Sequence, residues 1–310
     1  MQRTAPASPA DKLVVVHPER RAQRSLQRML GATLCPVEVA PDLAAAAIDD
    51  HTIVVVDAAL AVAALEACKR AARAWIAVPG EGTQPADPTT VSALLHAGWN
   101  HVVAHPMPLL AEELLATAQK LIRRDCFGLD KYMAWGAEVR SYTLEDALER
   151  DLAVAAIASD VTRVGLPDRI GSLVSVIADE LLANALYAAP VDDAGAKHRV
   201  HDPRDRSRLL ADRDVVSLRW STDGRYLAIE VRDRWGTIEP ASIEARLAAT
   251  KTSTVESGMG LPLAYACSNQ LVVNVAPQAM TEVIALLDIR YKPTELARSA
   301  SFHAFWGEPP

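Results

Sequence analysis

The stretch Asp-Glu-Leu-Leu-Ala-Asn-Ala at residues 179–185 places a carboxylate and a carboxamide four positions apart in an otherwise apolar segment. Residues at i and i+4 project from one face of a helix, so Glu180 and Asn184 point the same way while the leucines can face a core. Such a pair can orient water and hold a hydrated divalent cation, because Mg²⁺ prefers oxygen ligands and keeps several waters. The same pattern also suits an amphipathic helix whose polar edge is solvated.

Composition limits the classes of protein to which the chain can belong. Its 310 residues suggest about two domains, and 50% apolar with 23% charged residues is an ordinary globular composition. The net charge of −7, without a basic block, argues against nucleic acid as a partner. The cysteines lie far apart without metal-ligand spacing, the apolar runs are short for a membrane span, and no signal-peptide pattern is evident. We therefore expect a cytoplasmic protein with no membrane association, whose residues 1–10 are disordered.

Residues 11–124 alternate between short β-rich runs and helical segments. Continuous apolar strands that alternate with helices indicate a parallel sheet covered on both faces, and this span predicts a flavodoxin-like doubly wound domain. A short Ala-rich helix capped by Asp42 is expected within it. The predicted strands are residues 13–16, 37–39, 52–56, 75–78 and 101–104.

This half resembles response-regulator receiver domains. Asp57 ends the third predicted strand, where that family carries its phosphoacceptor, and His105-Pro106 stands in place of Lys-Pro. The family's acidic pair is replaced by His17-Pro18, and Val78-Pro79 stands where Ser or Thr is usual. Because a receiver needs clustered carboxylates for magnesium and a cation for the phosphoryl oxygens, we interpret this half as a pseudo-receiver that binds a partner or its neighbouring domain. Asp57 is then a vestigial phosphoacceptor or an ordinary polar residue at a strand end.

Residues 125–142 mix aromatics, glycines and charges without periodicity and are predicted to form a linker. Thr143 is expected to cap a helix, which is followed by the helix that carries Glu180 and Asn184. Residues 191–214 are dense in charges of both signs. A solvated mobile loop is a better interpretation of them than a nucleic-acid patch.

The remainder completes a predicted α+β sandwich over residues 143–291. Asp223-Gly224 between two alternating runs predicts a β-hairpin. A tail, residues 292–310, is expected to pack back on a domain because exposed aromatic clusters are uncommon. The other predicted elements are a helix over 243–249, a helix opened by a glycine loop, and closing strands at 271–275 and 282–289.

Residues 143–291 resemble the ATP-binding domain shared by gyrase and histidine kinases, the GHKL superfamily with its Bergerat-type fold, and within it the anti-sigma-factor serine kinases. Three motifs occur in the family's order, on a helix, at a strand end and at a helix start. They are the N-box (Glu180, Asn184), the acidic box (Asp233, Gly236) and the glycine box (Gly258, Gly260, Leu261), with Thr281 at the position of the family's threonine near the adenine.

The resemblance implies a role for each motif. Asn184 would coordinate the magnesium ion that bridges the phosphates of ATP, and Glu180 would act as the general base. Asp233 would accept a hydrogen bond from the exocyclic amine of adenine. The glycines would let backbone amides approach the phosphates at a helix N-terminus. Taken singly, Asp233 also suits a turn after a strand, and Gly258 with Gly260 suits a tight loop.

Trp235 departs from the family pattern. The acidic box usually reads Asp-x-Gly-x-Gly, whereas Trp235 stands here in place of the first glycine. The indole would either stack on the adenine as a cofactor-binding residue or fill the pocket.

Two functions remain open at this point. No histidine lies between His105 and His198, which argues against autophosphorylation of the histidine-kinase type. In the first function, a signal-transduction protein binds Mg-ATP and phosphorylates a Ser or Thr of a partner protein, with Glu180 as base. In the second, a non-catalytic scaffold acts through protein–protein interaction. A homodimer is compatible with both.

Overall fold

The computed structural model describes residues 11–66, 72–80, 85–106, 109–239, 260–290 and 299–310. The chain divides into two compact units, Met1–Asp125 and Cys126–Pro310, and is of mixed α/β type. The helix predicted over residues 243–249 and the glycine-box residue Gly258 lie outside the described residues.

The first unit alternates strands with helices. Its elements are β1 (Lys12–Val16), α1 (Arg20–Leu30), β2 (Val37–Ala40), β3 (Thr52–Asp57), α2 (Ala58–Ala63), β4 (Ala74–Val78), α3 (Pro88–His96), β5 (His101–Val102) and α4 (Leu109–Arg123). These strands lie in the order β2-β1-β3-β4-β5, and each neighbouring pair is parallel. This is the strand order of a doubly wound sheet, in which ligands bind at the carboxyl ends of β1 and β3, where the order reverses.

The core of the first unit forms because β1 and β3 are apolar along their length. Leu13 and Ile53 on one face of the sheet are buried against Leu30 of α1 and Leu114 of α4. Val54, on the opposite face, is also fully buried. Burial on both faces explains why the two strands read as continuous apolar runs.

The prediction of a helix after Asp42 is wrong. Turns and irregular backbone occupy residues 41–50, and the Asp42 carboxylate accepts a hydrogen bond from the Ala45 amide at 2.9 Å. A side chain that bonds to nearby backbone stabilises a turn, which here replaces the helix.

The second unit has helices packed on a mixed sheet. Its elements are β6 (Val139–Leu144), α5 (Arg150–Arg163), α6 (Asp168–Ala183), β7 (Val216–Thr222), β8 (Tyr226–Asp233), α7 (Gly260–Cys267), β9 (Gln270–Ala276), β10 (Met280–Asp288) and β11 (Ser301–Trp306). Within this unit the strands run β11-β9-β10-β8-β7-β6. β11 is parallel to β9, and the other neighbouring pairs are antiparallel. The predicted hairpin is formed by β7 and β8.

Residues 126–142 of the predicted linker belong instead to the second unit. Buried glutamates fix its first residues, because the Gly128 amide donates to Glu282 Oε1 at 2.9 Å and the Leu129 amide to Glu230 Oε2 at 3.1 Å. Its last residues begin β6, an edge strand that pairs with β7. Thr143 therefore lies in a strand and does not cap a helix.

Asp146 carries out the capping that was predicted for Thr143. Its carboxylate accepts from the Leu148 amide at 2.8 Å, at the start of a short 3₁₀ turn, Ala147–Glu149, that leads into α5. The tail folds back as β11, in which Phe302 and Phe305 are buried. The expectation that its aromatics pack on a domain is thus confirmed.

α6 is the central helix of the second unit. Together with the π-helical turn Asn184–Ala188 it forms an apolar stretch of 21 residues, long enough to cross a membrane by length and composition alone. Its apolar face, including Val174, Ile177 and Leu181, is buried, and the helix contacts α5, α7 and β8. This burial is what a core helix of a globular domain shows.

Candidate functional site

Asp233 and Thr281 form the most enclosed polar pair of the candidate site. They face each other across β8 and β10, and their exposures are 5% and 1%. Burial raises the pKa of Asp233 to about 6, although hydrogen bonds from the Trp235, Gly236 and Thr281 amides and the nearby Thr281 hydroxyl lower it. The Thr281 hydroxyl is not aligned for a hydrogen bond with any described residue. The pair thus presents a costly buried carboxylate beside an unused hydroxyl.

The turn after β8 is organised by the carboxylate of Asp233. Its Oδ1 accepts from the Trp235 amide at 2.8 Å and the Gly236 amide at 3.4 Å. The Thr281 amide also donates to this carboxylate, and an ionised carboxylate still has acceptor capacity left for a ligand. The interpretation of Asp233 as a turn residue and its role as an acceptor for a ligand are therefore compatible.

Trp235 is buried and one face of its ring is covered. The guanidinium of Arg213 lies 4.5 Å from the centroid of the indole, and Arg213 donates to the Gln278 carbonyl at 2.7 Å. The indole nitrogen is buried and has no hydrogen-bond partner among the described residues. Sequence reasoning missed Arg213, because no local pattern indicates that this arginine contacts a residue 22 positions later.

Gly236 is required by its backbone conformation and its surroundings. Its φ is +62°, and a Cβ at this position would lie 2.8 Å from the Gln278 amide nitrogen and collide with the Ala276 carbonyl. This glycine lets the acidic box pass beside the turn between β9 and β10. The next residue, Thr237, donates to the Ala189 carbonyl at 2.7 Å and so ties the acidic box to the end of the N-box helix.

Glu180 and Asn184 lie at the end of α6, where it changes into a π-helical turn. The Asn184 side-chain amide donates to the Glu180 carbonyl at 3.0 Å, which leaves its Oδ1 as the atom that could bind a cation. Both side chains are half-buried. A π-helical turn is often found at functional sites. No cluster of three or more His, Cys, Asp or Glu side chains with metal-binding geometry occurs in the described part of the chain.

The environment of Glu180 raises the pKa of its carboxyl group. Burial raises the pKa of Glu180, the charge of Asp179 raises it further, and the charges of Arg204 and Arg150 oppose the shift. Burial raises the pKa of Cys267 at the end of α7, and the charge of Glu180 adds to it. The N-box carboxylate is therefore close enough to the helix that begins at Gly260 for the two to interact electrostatically.

The structure thus brings many of the predicted site residues together within the second unit. The acidic box and Thr281 form one cluster, and Thr237 connects that cluster to the N-box helix. Gly260 is the first residue of α7, and Leu261 is buried. The arrangement places an acceptor, an unused hydroxyl and a free amide oxygen on three elements of one unit.

Residues 191–214 are largely exposed, as expected for a solvated loop, but side-chain contacts anchor them. The loop contacts the end of the N-box helix, because the guanidinium groups of Arg204 and Arg208 lie 5.8 Å and 5.4 Å from the centroid of the Tyr187 ring. The anchors of the loop are Arg199 with Asp214, Arg208 with Asp202, and Ser207 with Asp146. The Ser207–Asp146 contact joins residues 61 positions apart, so composition alone could not reveal it.

In the first unit, Asp57 serves as a helix cap. Its Oδ1 accepts from the Leu60 amide at 2.7 Å, and its Oδ2 lies 3.8 Å from His17 Nε2. His17 accepts from the Glu19 amide on Nδ1 at 3.0 Å, so its Nε2 carries the proton donated to the Gly80 carbonyl at 2.6 Å. A buried imidazole with both nitrogens engaged thus fills the space beside Asp57.

No family model matches this chain, and no curated protein matches it in sequence.

Proposed function

We propose that the second unit is a GHKL-type domain that binds Mg-ATP and transfers its terminal phosphoryl group to a Ser or Thr of a partner protein. The observation that carries this proposal is the buried Asp233–Thr281 pair. Adenine would add a further donor to the Asp233 carboxylate, since its exocyclic amine is a donor at the position where guanine has an acceptor. The unused Thr281 hydroxyl would complete the contact.

The donor set also fits a magnesium ion held mainly by phosphates and water. Asn184 Oδ1 would be its protein ligand, as Mg²⁺ commonly takes only one or two protein oxygens. When bound, the ion would neutralise charge on the phosphates. Glu180 would accept the proton of the attacking hydroxyl, and its raised pKa brings it closer to the range in which a general base works best.

In this proposal the first unit is a receiver-like pseudo-receiver that binds a partner protein, and the whole is a cytoplasmic signalling protein. Two observations favour the alternative, a non-catalytic scaffold. Arg213 covers one face of Trp235, and His17 fills the space beside Asp57. In the scaffold the nucleotide pocket would be an evolutionary remnant, and function would lie in protein contacts alone.

Calorimetry with ATP and ADP in the presence of magnesium separates the two functions. We expect micromolar affinity for the wild-type protein, abolished binding in Asn184→Ala, and partial retention in Asn184→Asp, which keeps an oxygen ligand. Glu180→Gln should retain nucleotide binding and lose phosphoryl transfer to any partner. Absence of heat with both nucleotides would reject the nucleotide-binding function and leave the scaffold.

A further inference from the structure

Unused hydrogen-bond donors gather around the carboxyl-terminal half of α6. Arg150 Nη1, Tyr187 Oη and Arg208 Nε are buried and have no hydrogen-bond partner among the described residues. A buried polar group without a partner is costly, so three in one region indicate that an acceptor is absent. Tyr187 is 4% exposed and lies one turn beyond Asn184.

The arginines of this region differ in how their charges are balanced. Arg150 pairs with Asp179 at 3.0 Å, and Arg208 pairs with Asp202 at 3.0 Å. Arg204 forms no ion pair within the described residues, is exposed, and lies over the Tyr187 ring. Its positive charge nevertheless acts on Glu180 and opposes the rise in the pKa of that carboxyl group. Arg204 is therefore the guanidinium that an incoming anion can reach.

A phosphoryl group matches this set of donors. Guanidinium groups bind phosphate oxygens through paired, charge-assisted hydrogen bonds, and a phenol can donate one more. The loop that supplies Arg204 is anchored on both sides of it, by Arg199 with Asp214 and by Ser207 with Asp146. The guanidinium is thus carried on a supported loop, which lowers the entropy cost of binding.

We propose that Arg204, seated on Tyr187, binds a phosphoryl group, supplied either by the terminal phosphate of a nucleotide or by free phosphate. The nucleotide source rests on the proposed function, and the free-phosphate source does not. If the source is a nucleotide, residues 191–214 form a wall of the site that distinguishes a triphosphate from a diphosphate.

Calorimetric titration of the full chain with Mg-ATP, Mg-ADP and inorganic phosphate tests the proposal. Arg204→Ala should weaken ATP binding about 10-fold while ADP binding changes less than about 3-fold, the ratio expected when one charge-assisted contact is lost. Arg204→Lys should fall between, because lysine keeps the charge without the planar fork. Arg206→Ala, at an exposed arginine of the same loop, should leave every affinity within about 2-fold.

The outcomes separate this proposal from the proposed function. If the wild-type protein binds phosphate but no nucleotide, and Arg204→Ala loses the phosphate binding, the phosphoryl site is supported and the nucleotide function is rejected. Equal weakening of ATP and ADP, or an equal effect of Arg206→Ala, would overturn the role of Arg204 while nucleotide binding stands. A wild-type protein that binds none of the three ligands would overturn both.

Discussion

Asp233 and Thr281 are direct cross-strand partners at the end of β8, and both are buried. This pairing follows from the antiparallel register of β8 and β10, which aligns two residues 48 positions apart in sequence. Because neighbouring side chains on a strand alternate between faces, the same register sends Arg232 and Glu282 to the opposite face of the sheet. The sheet therefore carries one polar pair on one face and a separate charged cluster on the other.

Asp233→Asn should remove the preference for adenine. The amide oxygen can still accept from the backbone of the turn, but an NH₂ group would now meet the amine of the base. We expect ATP affinity to fall at least about 10-fold, since a hydrogen bond to a charged group contributes about 1.5–3 kcal/mol. Calorimetry with ATP and GTP measures this, and Thr281→Val tests the other half of the pair. Unchanged ATP affinity would remove Asp233 from the site.

Gly236→Ala should destabilise the second unit far more than Gly224→Ala. Both glycines have positive φ, +62° and +81°, but a Cβ at Gly224 meets nothing within 4 Å whereas one at Gly236 meets the backbone of Gln278 at 2.8 Å. The control should cost about 1 kcal/mol of unfolding free energy, and Gly236→Ala about 3 kcal/mol or more. Urea denaturation measures both variants. Equal losses would show that the turn can move to accept a side chain.

Elements with strong periodicity could be predicted from the sequence, and elements defined by distant partners could not. The apolar runs of β1 and β3 and the alternation in β7 and β8 identified these strands, because burial imposes those patterns directly. β6 was not predicted: its first residues fell in the predicted linker and Thr143 at a predicted helix start, since an edge strand with exposed residues carries little hydrophobic signal. The tail was expected to pack back, but its pairing with β9 depends on a register that no local pattern contains.

The residues of the candidate site differ in the same way: some are indicated by local sequence patterns, and others are defined only by contacts in the folded chain. Glu180, Asn184 and Asp233 could be proposed as site residues because their order and spacing resemble the motifs of a known family. Arg204 and Arg213 were not predicted, since each is one of several arginines in a charge-rich segment. Only the folded structure shows that each lies over an aromatic ring.

Acetyl phosphate should leave Asp57 unmodified. One carboxylate oxygen caps α2, and His17 lies beside the other, where a receiver would need a cation site. Intact-mass measurement after incubation with acetyl phosphate and magnesium should show no adduct. Asp57→Ala should cost about 1 kcal/mol of stability through loss of the helix cap. A phospho-adduct that disappears in Asp57→Asn would contradict this interpretation.

Asp146→Ala should release the loop formed by residues 191–214. The Asp146 carboxylate accepts from Ser207 Oγ at 2.6 Å and from the Arg208 amide at 3.1 Å, besides capping the turn before α5. Limited trypsin digestion should therefore cut at Arg204 and Arg206 faster in this variant than in the wild-type protein. Asp151→Ala, at an exposed position on α5, is the control and should leave the rate unchanged. Equal rates in both variants would show that other contacts suffice to hold the loop.

Glu230→Gln should flatten the pH dependence of stability of the second unit. Burial raises the pKa of Glu230 to about 7, and the charge of Glu282 adds to this shift, while Arg219 and Arg232 oppose it. In the unfolded chain the carboxyl titrates near its ordinary value, so between about pH 4.5 and pH 7 the folded state holds more protons. The free energy of unfolding should accordingly fall as pH rises through that window, by up to about 3 kcal/mol.

The glutamine variant lacks the titrating group, so most of that slope should disappear, and the remainder should reflect Asp233, whose raised pKa of about 6 acts in the same direction. Urea denaturation at pH 5 and pH 7.5 measures the difference. Glu138→Gln, at an exposed position before β6, should keep the wild-type slope. If Glu230→Gln retained that slope as well, Glu230 would be ionised throughout the window, held charged by Arg219 and by the Leu129 amide that donates to it at 3.1 Å.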